Sequence, residues 1–370
     1  MSKEAFTNRE EEARKLEVNL TQGVNTCIIS PRRWGKSSLV EKVVGDISEK
    51  HKDIKVCVID LFAVSTEEEF LELFAREVLR ASSNKWEDWF KEGKNIFKQL
   101  IPKFSIGIDP ETDFSVSFDW QELKKHKDEI LDLPEKLAHR KNVKFVICLD
   151  EFQNLASFSD YESFEKLMRA VWQRQKHVCY CLFGSKRHMM NDIFNNSSKP
   201  FYRFGDLMLL SKISKDKWVS FIQKGFTNTG KQIDKDTAEL IAESMKNHSW
   251  YVQQLAHYTW NKNPKKATRK EVQNAILELI QANTPLYEKE IESLSGTQVN
   301  LLKAVSAGEF QLTGSDVMQK YRLGTPRNVS KNKVILMNAD IIQKVDKGYE
   351  FLDPAFEMWF MKQFFNKSYF

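Results

Sequence analysis

Apolar positions in the first 210 residues gather into five short runs, separated by stretches with a helical period. The runs are TCII (26–29), KVCVIDL (55–61), KFVICLD (144–150), VCYCLFGS (178–185) and DLMLL (206–210). Most are nearly continuous in Val, Ile, Leu, Cys and Phe, the composition of strands covered on both faces. Amphipathic patterns at 37–50, 67–82, 121–139, 161–175 and 186–196 alternate with them. Such alternation builds right-handed βαβ units. The expectation is an α/β fold with a parallel five-stranded sheet flanked by helices.

The segment KFSIGIDPETDFSVSFD (103–119) interrupts this rhythm. Phe104, Ile106 and Ile108, then Phe114, Val116 and Phe118, alternate around an Asp-Pro-Glu-Thr turn. That is the period and punctuation of a β-hairpin. With the aromatic stretch before it, it reads as an insertion over about 85–120.

After residue 212 the strands cease. Helices broken at Asn228-Thr229-Gly230 and Asn247-His248-Ser249 lead to another over about 268–282, which ends at Thr284-Pro285. Beyond Gly296, three short helical patterns (297–307, 313–320, 325–338) precede two strand-like runs joined by Asp-Lys-Gly. An aromatic helix, PAFEMWFMKQFF, follows them. Helix, helix, helix, hairpin is the order of a winged helix. The expected organisation is a core over 1–212, a helical segment over 213–290 and a winged-helix domain over 291–370.

Composition narrows the class without naming a function. A hydrophobic fraction of 41% with 29% charged residues suits a globular chain. No stretch approaches 18 uninterrupted apolar residues, so no membrane span is expected. The start, MSKEAFTNREEEARKL, lacks the apolar centre of a signal peptide. Cys27, Cys57, Cys148, Cys179 and Cys181 all lie in apolar runs. They read as buried thiols of a reducing cytoplasm, not as a disulfide framework or a zinc site. A net charge of +5 permits an acidic partner without requiring one.

Candidate chemistry begins between the first strand and the first helix. A phosphate-cradling loop needs inward N–H groups, a helix N-terminus and a lysine, usually as G-x-x-x-x-G-K-[ST]. Ser30-Pro31-Arg32-Arg33-Trp34-Gly35-Lys36-Ser37, continued by Ser38, matches all but the first glycine. Gly35 leaves the turn clear of a Cβ, Lys36 suits the β- and γ-phosphates, and the Ser37 hydroxyl suits Mg²⁺. A basic surface turn would satisfy the loop alone. KFVICLDEFQNL, however, ends a strand in Asp150 and Glu151, in the crevice where parallel sheets bind ligands. Asp150 suits the Mg²⁺ site and Glu151 suits the base for an attacking water. Loop and acids in this order define a nucleotide site.

The pieces CIISPRRWGKSSL, FVICLDEFQNL, YCLFGSKRHMM and KPFYRFG resemble the archaeal-type ATPases of the AAA+/STAND assemblage of P-loop NTPases, relatives of origin-recognition ATPases. The resemblance extends over nearly the whole chain and implies a helical lid and a C-terminal winged helix. It implies that Phe6-Thr7-Asn8-Arg9-Glu10 is the N-terminal motif, with Asn8 and Arg9 at the adenine pocket. It also implies that Ser185 orients the attacking water or the γ-phosphate. Arg203 matches an arginine finger reaching a neighbouring subunit's nucleotide, which implies self-association; a salt-bridged surface arginine fits the position equally well. Arg187 is a weaker competitor. The lid departs from the family pattern: NHSWYVQQL has neither Gly nor Pro at its turn. His248 or Tyr251 could touch nucleotide there, although packing at the helix entry is the commoner use.

Residues 296–370 hold ten Lys/Arg and seven Asp/Glu. Arg322, Arg327, Lys331 and Lys333 cluster at the third helix, with Lys344 and Lys347 on the hairpin, where duplex DNA would be met. Docking of a protein partner fits the same domain. Two readings emerge: an ATP-binding, slowly hydrolysing molecular switch using Mg²⁺, or a nucleotide-held scaffold or DNA-binding protein with negligible turnover. A metabolic P-loop kinase is disfavoured, because no acceptor site accompanies the motifs.

Overall fold

The computed structural model describes residues 9–83, 85–96, 103–105, 115–262 and 265–367. It divides into two compact units, Met1–Ser211 and Lys212–Phe370. Among the described residues, no helix is long and apolar enough to cross a membrane.

The first unit holds strands β1 (Thr26–Ile29), β2 (Ile54–Asp60), β3 (Lys103–Ser105), β4 (Ser115–Ser117), β5 (Lys144–Asp150), β6 (Val178–Gly184) and β7 (Asp206–Leu209). Its helices are α1 (Glu10–Thr21), α2 (Lys36–Lys50), α3 (Glu67–Ser82), α4 (Trp86–Ile96), α5 (Trp120–Lys125), α6 (Lys127–Leu131), α7 (Leu133–Lys141), α8 (Tyr161–Trp172) and α9 (Arg187–Asn195). Five strands form one parallel sheet in the order β2-β5-β6-β1-β7. The apolar runs are continuous because alternate residues enter different cores. Phe145, Ile147 and Leu149 of β5 pack into a large aromatic core with Phe70, Phe74 and Trp172. Val146 and Cys148 face the opposite way, onto Leu39, Val43 and Ile47 of α2. All five cysteines are buried in these strands.

The hairpin forms as expected where it is described: β3 and β4 pair antiparallel. Val116 and Phe118 are buried in the aromatic core, and the Phe118 N–H donates to Glu72 Oε1 at 3.1 Å. Its turn, with Ile106, Ile108 and Phe114, lies outside the described residues. The helix expected over 121–139 is instead three pieces, α5 to α7. Backbone at His126 leaves helical geometry (φ −129°), and Pro134 at the start of α7 has no N–H to continue a preceding helix. Similarly, α8 ends at Trp172, short of the expected 175.

The second unit comprises α10 (Lys215–Asn228), β8 (Gln232–Ile233), α11 (Lys235–Ser244), α12 (Ser249–Asn261), β9 (Lys266–Ala267), α13 (Arg269–Glu292), α14 (Gly296–Ser306), α15 (Ser315–Lys320), α16 (Pro326–Asn338), β10 (Ile342–Val345), β11 (Gly348–Phe351) and α17 (Pro354–Phe365). The short β8–β9 parallel pair escaped the sequence patterns, being two residues long on each side. One apolar core runs from Ile213 to Phe360.

Helix α13 corrects the expectation of a stop at Thr284-Pro285, since it continues to Glu292. Side chains meet carbonyls in the turn before the proline: Asn283 Nδ2 donates to Leu279 O at 2.7 Å and Thr284 Oγ1 to Ile280 O at 2.9 Å. Beyond it, the Tyr287 ring lies 5.1 Å from Phe356 and 5.8 Å from Trp359 of α17. Packing overrides the local penalty of proline. The aromatic helix α17 accordingly buries Phe356, Trp359 and Phe360, while Phe365 stays exposed.

Candidate active site

The loop 30–35 leaves β1 and enters α2 through two left-handed residues, Arg33 (φ 64°) and Gly35 (φ 88°). Gly35 is the N-cap of α2, so the first free N–H groups of that helix follow it directly. Free N–H groups and the helix dipole together favour an anion at this end. Ser30, standing where the usual motif has glycine, is fully buried, and its hydroxyl donates to Pro31 O at 3.0 Å. The departure is absorbed locally. Pro31 and Trp34 are buried, whereas Arg32 and Arg33 are exposed.

Strand β5 brings its terminal acids to the start of α2. Lys36 Nζ lies 2.8 Å from Asp150 Oδ1 and 3.6 Å from Glu151 Oε1, with the lysine side chain 6% exposed. Ser37 Oγ donates to Asp150 Oδ2 at 2.9 Å. The chain then turns sharply, with Glu151 left-handed (φ 52°) and its N–H donating to Asp150 Oδ1 at 2.7 Å. Glu151 Oε2 accepts from Ser185 Oγ at 2.9 Å, Ser185 N at 3.3 Å and Gln153 Nε2 at 2.5 Å. Burial pushes the Glu151 carboxyl up, but Lys36 and the hydrogen bonds from Gln153 and Ser185 more than reverse this and lower its pKa. Thus Lys36, Ser37, Asp150, Glu151 and Ser185 form one connected cluster at the C-terminal ends of β1, β5 and β6.

Other expected residues fall elsewhere. Arg9 is 2% exposed and braces the loop from behind. Its Nη2 donates to Trp34 O at 2.9 Å and Ser211 O at 3.0 Å, and Nη1 donates to Glu12 at 3.0 Å. Burial lowers its pKa, partly offset by Glu12. Asn8 lies outside the described residues. Arg203 is exposed and left-handed (φ 53°), with its guanidinium 5.1 Å from the Tyr202 ring centre. Among the described residues it makes no ion pair, so the salt-bridge alternative has no partner here. Arg187 opens α9 and is exposed. His248 and Tyr251 are buried within the second unit, and the Tyr251 hydroxyl hydrogen-bonds Asp353, the N-cap of α17. Packing at a helix entry describes both.

Two contributors were not anticipated: Arg9 as a brace on the loop, and Gln153 as a donor to Glu151. An arginine in a polar N-terminal segment carries no signal of a carbonyl 25 residues away. Gln153 was visible only as part of the Asp-Glu-Phe-Gln run.

A phosphate loop between β1 and α2, facing paired acids at the end of a parallel strand, defines a P-loop ATPase. The comparisons agree with this class. The family described as "ATPase domain predominantly from Archaea" matches residues 6–255, and the chain belongs to it. A "probable winged helix domain" matches residues 285–362. Among solved structures, the Walker-type ATPase PABY2304 of Pyrococcus abyssi is similar at 20% identity and TM-score 0.68, covering 97% of each chain. The Aeropyrum pernix ORC2 protein in its ADPNP–ADP complexes is similar at 13% identity and TM-score 0.58, covering 98% of this chain and 96% of that one. At such identities the likeness is one of fold. No curated protein sequence matches the chain.

Proposed function

We propose that this ATPase is a slow molecular switch, binding and hydrolysing ATP at the Lys36–Asp150–Glu151 cluster. The observation that carries the reading is the meeting of Lys36, Ser37 and both acids within hydrogen-bonding or ion-pairing distance. Lys36, now neutralised by Asp150, is the cation that exchanges this partner for phosphate oxygens. Ser37 Oγ and Asp150 Oδ2 are hard oxygen donors 2.9 Å apart, a set that fits Mg²⁺. When bound, Mg²⁺ supplies charge neutralisation on the phosphates. Glu151 takes the proton of the attacking water, and Ser185 orients that carboxylate. Catalysis is then positioning and electrostatics without a covalent intermediate.

The partner we favour is duplex DNA, met by α16. Arg322, Arg327 and Lys331 are exposed, and so are Lys344 and Lys347 on the β10–β11 wing. Lys333 is partly covered, its ammonium 5.4 Å from the Tyr349 ring. Val334, 50% exposed on the same helix, could meet a thymine methyl. Exposed Arg203 supports a role toward a neighbouring subunit. The scaffold alternative draws on Ser30, whose buried hydroxyl stiffens the loop.

The deciding experiment measures ATP hydrolysis against protein concentration, with and without duplex DNA, for the native chain and Glu151→Gln. The switch predicts turnover that rises with concentration and with DNA and is lost in Glu151→Gln. Measurable ATP binding with a flat, negligible rate would establish the scaffold instead.

A further inference from the structure

We propose that Gln153 is a positioning residue for hydrolysis, fixing one oxygen of the Glu151 carboxylate so that the other is presented to water. The inference rests on the reading of Glu151 as the base and names what aims it. All three directional donors to Glu151, Gln153 Nε2, Ser185 Oγ and Ser185 N, converge on Oε2. Oε1 accepts none of them and lies 3.6 Å from Lys36 Nζ. In hydrolysis, a water O–H proton passes to Oε1 as the water oxygen bonds to the γ-phosphorus. The bridging P–O bond then breaks, and its electron pair leaves with ADP.

Gln153 is built into this place. Its side chain is 1% exposed, and the left-handed turn at Glu151 folds the chain so that residue 153 reaches back to residue 151. The turn is pinned in the short 3₁₀ helix Phe152–Ser157: Asn154 N donates to Glu151 O at 2.9 Å, and Asn154 Nδ2 donates to Leu61 O at 3.2 Å. An ionised carboxylate only accepts, so the amide nitrogen must face Glu151. The amide oxygen then points away, buried and, among the described residues, without a partner. It points at Gly184, the last residue of β6. A Cβ at position 184 would lie 1.8 Å from Gln153 Oε1 and 2.9 Å from Met190 Sδ. Gly184 therefore leaves the room this amide occupies. A buried amide with one unsatisfied end and a glycine cleared beside it is costly to keep for packing alone. Its donated bond to Glu151 is the compensating feature.

The test uses the full chain and two independent ways of removing the bond. Gln153→Met keeps length and removes the donor; Gly184→Ala keeps the donor and displaces it. Each is expected to lower kcat about ten- to a hundredfold, the scale of a small misplacement of a reacting group. Binding of a non-hydrolysable ATP analogue should match the native chain in both. The melting temperature should match in Gln153→Met, whereas Gly184→Ala, which crowds a buried site, should melt lower. The double variant should be no slower than the slower single one. Unchanged or raised turnover in Gln153→Met overturns the proposal, a rise marking the contact as a restraint on Glu151. Equal loss of analogue binding and turnover also overturns it, since the role would then be structural. Glu151→Gln separates the two claims. If it hydrolyses normally, the reading of Glu151 fails. If it is inactive while Gln153→Met is normal, only the inference about Gln153 fails.

Discussion

The strand-end cluster of the first unit and the outer face of α16 in the second carry similar kinds of residue in opposite physical states. At the strand ends, each charge already has a partner: Lys36 has Asp150, and Glu151 has the neutral donors Ser185 and Gln153. On α16, Arg327 and Lys331 stand exposed and, among the described residues, make no ion pair. Buried charges must be paired because leaving water is costly, so each of them is fixed in direction. Exposed charges are free of that demand, and their value lies in what they attract from outside. Replacing a residue in the cluster should therefore cost activity or stability, whereas replacing one on α16 should cost only association.

The sharpest break comes from Glu151→Gln. Turnover should fall by at least about a hundredfold while ATP binding persists, a split measured by steady-state hydrolysis beside equilibrium binding. Next in size is Arg9→Ala, which leaves the buried Trp34 carbonyl without its donor and a void where the guanidinium lay. Urea unfolding should register a loss of about 3 kcal/mol. The surface side of the comparison is tested by Arg327→Ala with Lys331→Ala. Stability should stay within about 0.5 kcal/mol. The salt dependence of duplex DNA binding should become shallower by about two ions, read from the slope of log K against log salt. An unchanged slope would overturn the proposal that α16 meets duplex DNA.

The smallest effect concerns Glu165, a fully buried carboxyl whose pKa is raised by burial, with Tyr161 opposing. A raised acid pKa means the folded state favours the proton more than the unfolded chain does. Stability contributed by Glu165 is therefore lost as pH rises through its folded pKa. Glu165→Gln should raise the melting temperature more at pH 8 than at pH 4.5. The reverse order would show that the ionised form is the one the fold accommodates.

What the sequence disclosed follows from which forces are local. Strands β1 and β5 were legible to the residue, because both faces are buried and no polar position interrupts them. Helix α3, expected over 67–82, was equally legible, and the structure shows why: the capping box that starts it, Thr66 with Glu69, sits within four residues of chain. The breaks at His126 and Asp132 were hidden, since amphipathic period continues across them while the backbone turns. The passage of α13 through Pro285 was equally hidden, because it depends on rings 70 residues further on. In the cluster, the meeting of Lys36, Ser37, Asp150 and Glu151 could be anticipated from motif order. Arg9 beneath the loop and Gln153 beneath the carboxylate could not, because each bond depends on where a fold returns a side chain.

The uninterrupted α13 has a consequence for how this chain can be cut or exchanged. The winged-helix match begins at residue 285, inside the helix Arg269–Glu292. A domain border drawn there would divide one rod and strip Tyr287 from the preceding turns that anchor it. Leu279 and Ile280 on one side and Phe356 and Trp359 on the other belong to the same apolar core. The portable piece is Lys212–Phe370 entire. Gene fusions, chimaeras and expressed fragments that respect this border keep a closed core, whereas those that break at the proline expose its middle.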